Sequence, residues 1–176
     1  AALAGGADAV YLGSNELNAR LRAPNFAPDA LAGAVELARR SSAKVYLAAN
    51  TLLFDEDLPR AASLLDAAVE AGVDAVIVQD LGLARLLRAR HPTLALHAST
   101  QMTVHNARQA AALAKAGFSR FILARELSLP EIAAIAAAAK AAGAETEVFV
   151  HGALCVSYSG QCLASAFLEG RSGNRG

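Results

Sequence analysis

Residues 57–80 read DLPRAASLLDAAVEAGVDAVIVQD, and this stretch holds both halves of a repeating plan. From Asp57 the apolar residues recur at helical spacing, and Gly72 stands where a helix closes on a left-handed residue. From Asp74 to Asp80 the side chains are apolar nearly throughout, as in a strand covered on both faces. The strand half recurs in ADAVYLG from Ala7, AKVYLAAN from Ala43, LALHAST from Leu94, RFILARE from Arg120 and ETEVFVH from Glu145. Helical patterns lie between them. PDALAGAVELARR starts on Pro28-Asp29, NARQAAALAKAG closes on Gly117, and SLPEIAAIAAAAKAAG carries Ser128 and Glu131 at capping-box spacing with Pro130 in the first turn.

Strands alternating with helices specify an α/β fold with a parallel sheet. No Gly-x-Gly-x-x-Gly follows any of these strands, which counts against a dinucleotide-binding sheet. The expected fold class is therefore a parallel (β/α) barrel, TIM-barrel-like. Such barrels run to about 250 residues and eight strands. With 176 residues and about six strands, the chain is expected to be one barrel domain, 1–176, incomplete at both ends. AALAGGADAV reads as a helix end entering a strand, and GRSGNRG as the middle of a loop.

Sixteen basic and sixteen acidic residues cancel, so no global nucleic-acid footprint is present, though a local patch remains open. No run of about 18 uncharged apolar residues predicts a membrane span. No charged-then-apolar leader is seen. Two cysteines make no disulfide scaffold, and a reducing, cytoplasmic location is expected.

In a parallel barrel the chemistry sits where strands end. Those ends read Asn50-Thr51, Gln79-Asp80, Ser99-Thr100-Gln101, Arg125-Glu126 and His151-Gly152. Strand alternation puts Glu147, Phe149 and His151 on one face, with Val148 and Val150 on the other, suited to packing against helices. His97, Ser99 and Gln101 likewise share a face. The plainer readings are structural: Asp80 and Ser128 as helix caps, His97 as a satisfied core residue, His91 and His105 as helix-end or loop residues.

Both cysteines, Cys155 and Cys162, follow the sixth strand, seven positions apart. Four readings fit them. They suit buried small hydrophobes, a disulfide, a Cys155 nucleophile with His97 or His151 as base, or ligands of a metal or iron–sulfur cluster. Two thiols do not close a four-thiolate site, and the spacing is wider than Cys-x-x-Cys. Ser159-Gly160 allows a bend that turns both sulfurs to one point.

The stretch EVFVHGALCVSYSGQCLAS, from Glu147 to Ser165, closely resembles the signature of the collagenase-like peptidase family, numbered 32 in the unknown-mechanism class U. Glu147, Phe149, Gly152, Ala153, Leu154, Cys155, Gly160, Cys162 and Ser165 match its positions. Ala164 departs mildly, standing where the family usually has an aliphatic residue. GADAVYLG, NARLRAPNF, ASTQMTVHN and LARELSLPEI are similar to family segments in the same order.

The resemblance implies more than a protease. Some members are called collagenase-like, without established catalytic residues. Others are oxygen-independent hydroxylation proteins acting on a wobble uridine of tRNA, a cytidine of 23S rRNA or a ubiquinone precursor, with prephenate implicated as oxygen source. It implies a 4Fe-4S cluster on four cysteines, with Cys155 and Cys162 as the first two and the others beyond Gly176. It suggests His151, Glu147 and Arg125 as catalytic, and Arg20, Arg22, Asn25, Gln101 and Asn106 as substrate-binding, the arginines meeting prephenate carboxylates or RNA phosphates. The implied partners are tRNA or rRNA and a homologous partner subunit. For the peptidase alternative, neither Gly-x-Ser-x-Gly nor His-Glu-x-x-His is present. A non-enzymatic scaffold that pairs with a homologue is a third class.

Overall fold

The computed structural model describes residues 1–19, 23, 25–152 and 155–170. They fall into two compact units, one of Ala1–Leu94 and one beginning at Ala95. In the first, strands β1 (Ala9–Gly13), β2 (Lys44–Ala49) and β3 (Ala75–Val78) alternate with helices α1 (Pro28–Arg40), α2 (Leu58–Ala71) and α3 (Leu81–Arg90). In the second, strands β4 (Ala95–Ala98), β5 (Arg120–Ile122) and β6 (Glu145–Glu147) alternate with α4 (Ala107–Lys115) and α5 (Leu129–Ala141), and α6 (Ala164–Glu169) follows. Pairing is parallel and follows chain order within each unit, β1-β2-β3 and β4-β5-β6. This is the expected (β/α) plan, with six strands.

Local chemistry explains the elements. β3 is buried at every position, as a parallel strand covered on both faces must be. In α2 the buried residues are Ala61, Leu64, Leu65 and Ala68, one face at helical spacing. Gly72 closes that helix at φ +85°, its N–H reaching the carbonyls of Ala68 and Val69. In α1, Leu31, Val35 and Ala38 form the buried face. The capping box at α5 is present, with Glu131 Oε2 accepting the Ser128 N–H at 2.7 Å. Among the described residues, no helix is long and apolar enough to cross a membrane.

Asp80 caps α3 as expected. Its Oδ1 accepts the Leu83 N–H at 2.8 Å, and its Oδ2 accepts the Leu53 N–H at 3.4 Å. An Asp80→Ala substitution is expected to cost about 1–2 kcal/mol, lowering the urea midpoint without changing the slope.

One strand is shorter than its pattern. ETEVFVH alternates as far as His151, but the ladder stops at Glu147. Its partner β5 ends at Ile122; the Leu123 N–H still reaches the Glu147 carbonyl at 2.9 Å, and the Ala124 N–H turns to Val104 at 3.3 Å. With no partner to pair, the following residues leave the sheet. Val148 and Val150 do not pack against helices as expected; Val150 is 91% exposed.

Candidate functional site

The segments after β4, β5 and β6 meet within the second unit. After β4, Ser99 Oγ accepts the Gln101 N–H at 3.1 Å and starts a single 3-10 turn, Thr100–Met102. Thr103 ends that turn at φ +55°, a left-handed conformation that is unusual for a β-branched residue. The next loop is tied back by Gln109, whose Oε1 accepts the His105 N–H at 3.1 Å and whose Nε2 donates to the Met102 carbonyl at 3.1 Å.

Against this platform lies Ser159, fully buried and midway between the two cysteines. Its N–H donates to Glu126 Oε1 at 3.1 Å and its hydroxyl to Glu126 Oε2 at 2.9 Å. Its Oγ accepts from the Arg125 N–H at 3.1 Å and from Arg125 Nε at 3.3 Å. Its carbonyl accepts the Thr103 hydroxyl at 2.7 Å. The strained Thr103 backbone thus aims a side chain at the cysteine loop. Gly160 follows at φ +76°, and a Cβ there would sit 2.3 Å from the Gln101 carbonyl oxygen. Only glycine fits, for conformational freedom and for space.

His105 completes the network. Its Nε2 lies 2.8 Å from Glu126 Oε1 and its Nδ1 lies 3.0 Å from the Thr103 carbonyl, so both ring nitrogens face oxygens. Tyr158 leans over the imidazole, ring centres 6.0 Å apart. Burial is the largest single influence on the Glu126 carboxyl and pushes its pKa up. The Ser159 hydroxyl, the Ser159 N–H, the N–H of Glu126 itself and the His105 charge together outweigh it, so the pKa falls below its ordinary value.

The cysteines flank this anchor, and neither is in a disulfide. Cys155 is exposed and Cys162 half-buried. The Cys155 thiol is acidified, first by the Ser157 N–H, with further help from the Cys162 thiol and the Arg125 guanidinium, while burial opposes. The Cys162 thiol and the Arg125 guanidinium are thus neighbours of Cys155.

Of the residues expected to serve chemistry, the structure brings together Cys155, Cys162 and Arg125, with the Gln101 backbone beneath Gly160. His151 is exposed on the segment beyond β6. Glu147 lies 3.4 Å from Arg120 Nη1 in an ion cluster with Glu145, beside a shallow cavity also lined by Lys140. Asn106 Oδ1 caps α4, accepting the Gln109 N–H at 2.9 Å. Asn25 belongs to the first unit, where its side chain and that of Asn18 cover Gly13. Arg20 and Arg22 lie outside the described residues. His97 is buried in β4, and His91 sits at the end of α3, 2.7 Å from Asp66. In the sequence Glu126 reads only as a strand-end residue, Ser159 as part of a bend and His105 as a helix-end or loop residue, while Thr103 carries no signal. The Arg-Glu pair at the end of the fifth strand and the Ser-Gly pair inside the cysteine spacing were the signals available.

Two adjacent thiols, one acidified, form a donor set that fits part of an iron–sulfur cluster. Among the described residues, no group of three metal-ligating side chains is present. Fit therefore extends to two ligands.

Comparison with known proteins follows the same lines. The chain is 45% identical over 171 residues to a 23S rRNA 5-hydroxycytidine synthase of Escherichia coli (strain K12), covering 97% of this chain and 25% of that protein. It is 34% identical to tRNA hydroxylation protein P1 of Bacillus subtilis (strain 168), covering 97% of this chain and 40% of that protein. The chain thus spans well under half the length of these relatives. A solved U32 peptidase shares the fold with a TM-score of 0.59 at 18% identity, over 80% of this chain and 59% of that one. The model of peptidase family U32 matches residues 1–176. The chain belongs to peptidase family U32.

Proposed function

We propose that the protein supports oxygen-independent hydroxylation of RNA, at a tRNA wobble uridine or a 23S rRNA cytidine, with Cys155 and Cys162 as two ligands of a 4Fe-4S cluster. The observation that carries this reading is the anchoring, through Ser159 to Arg125 and Glu126, of the loop that bears both thiols, with Cys162 and Arg125 as neighbours of Cys155. When bound, the cluster would supply electron transfer at that point. The names of the two relatives support RNA as substrate. Arg125 is the local group suited to an anion, a prephenate carboxylate or an RNA phosphate, because its guanidinium presents a planar fork of donors. The homologous partner subunit belongs to this reading as well.

An exposed, acidified thiol also suits a nucleophile, which favours the peptidase as the second reading. The two readings part at Cys162. A nucleophile tolerates its loss, whereas a cluster ligand does not.

The test is nucleoside analysis of tRNA and 23S rRNA from a strain lacking the gene. A hydroxylated pyrimidine is expected to disappear, to return with the wild-type gene, and to stay absent with Cys155→Ala or Cys162→Ala. Unchanged nucleosides in both RNAs would refute the hydroxylation reading. Peptide cleavage by purified protein that survives Cys162→Ala would establish the peptidase.

A further inference from the structure

Two thiols in a flexible loop meet seldom, because closing the loop costs chain entropy. Here the loop is held at its middle. Ser159 lies between the cysteines with its N–H, hydroxyl and carbonyl all engaged. Both donors from Ser159 end on one carboxylate, that of Glu126, whose side chain is a quarter exposed. His105 Nε2 lies 2.8 Å from Glu126 Oε1. Cys155 is four positions before this anchor and Cys162 three after it, one on each arm.

We propose that Glu126 is the positioning residue of the thiol pair: through Ser159 it holds the two arms of the loop so that Cys155 and Cys162 converge. This deepens the reading above, in which those thiols bind a cluster, but the convergence is a property of the polypeptide itself. It predicts a high effective concentration of one thiol at the other without metal. Removing the carboxylate leaves the Ser159 N–H and hydroxyl without their acceptor and frees the arms.

The experiment uses the full-length protein, stripped of iron with a chelator under reductant and equilibrated without oxygen against an oxidised cyclic dithiol reagent. In the exchange the Cys155–Cys162 S–S bond forms, the reagent's S–S bond breaks, and the two thiol protons pass to the reagent's sulfurs. Alkylation and mass spectrometry of the peptide carrying both cysteines give the equilibrium constant. Glu126→Ala is expected to lower it about 10- to 100-fold, and Ser159→Ala about 3- to 10-fold, as effective concentration falls toward that of a flexible loop. Glu126→Gln keeps one oxygen for the Ser159 N–H but turns an amide donor toward Ser159 Oγ, whose two acceptor sites Arg125 already fills, so it is expected to give a constant between those of wild type and Glu126→Ala.

A constant unchanged within about twofold in folded Glu126→Ala would overturn the proposal. If that variant fails to fold, the same result in Ser159→Ala overturns it. Iron is assayed in parallel on unstripped protein. Wild type that never holds iron, yet shows the glutamate-dependent exchange, upholds the positioning role and removes the cluster reading instead.

Discussion

Replacing Gly160 by alanine is expected to destabilise the protein by about 2–4 kcal/mol and to separate the two cysteines. Two costs add. Alanine at φ +76° adopts a left-handed backbone at a cost of about 1 kcal/mol. The new methyl would also stand 2.3 Å from the Gln101 carbonyl oxygen. That neighbour is backbone, with no flexible side chain to swing away, so the cysteine loop itself must lift. Lifting it pulls Ser159 off Glu126 and Thr103. The thermal midpoint and the thiol exchange should therefore fall together. A Gly160→Ala protein with both unchanged would mean that the loop does not rest on the platform after β4.

Glu126 gives the second large effect, on acid stability. Its folded-state pKa lies below the ordinary glutamate value of 4.5. A carboxyl depressed by folding contributes stability that is full above the unfolded value and is lost as pH falls through the folded value. Protonation also turns an acceptor of two Ser159 donors into a partial donor. Glu126→Ala is expected to cost about 1–3 kcal/mol at neutral pH, through the unpaired Ser159 groups. The difference from wild type should shrink as the pH falls below 4.5, because wild type then loses the same ion. Denaturant midpoints measured across this acid range check it. A difference that stays constant to the lowest pH would show that the charge on Glu126 contributes nothing.

How far the sequence could be read depended on the range of the forces involved. The fold was legible because its signals are local. Ala75–Val78 is apolar for the reason that it is buried, Gly72 closes α2 through its own φ, and Asp80 caps a helix three residues away. β6 overran because alternation in ETEVFVH continues past the point where β5 turns aside, and a pattern carries no record of its partner's length. The cysteines and Arg125 were legible as candidates, the first by rarity and motif, the second by its place at a strand end. Their anchor was not. Ser159 and Glu126 are 33 positions apart, and Ser159 and Thr103 are 56 apart. Nothing in a serine marks it as fully buried. Gly160 looked like a means of bending, whereas its tighter constraint is the absence of a side chain against Gln101.

The most direct test of the central claim, that Cys155 and Cys162 converge to hold an iron–sulfur cluster, is iron and acid-labile sulfide analysis of the full-length protein purified without oxygen, read beside its visible spectrum. About four iron and four sulfide per chain are expected in wild type, with the charge-transfer absorption of a cluster, and loss of both in Cys155→Ala and in Cys162→Ala alike. A colourless, metal-free wild type, or iron retained when either cysteine is replaced, would contradict that claim.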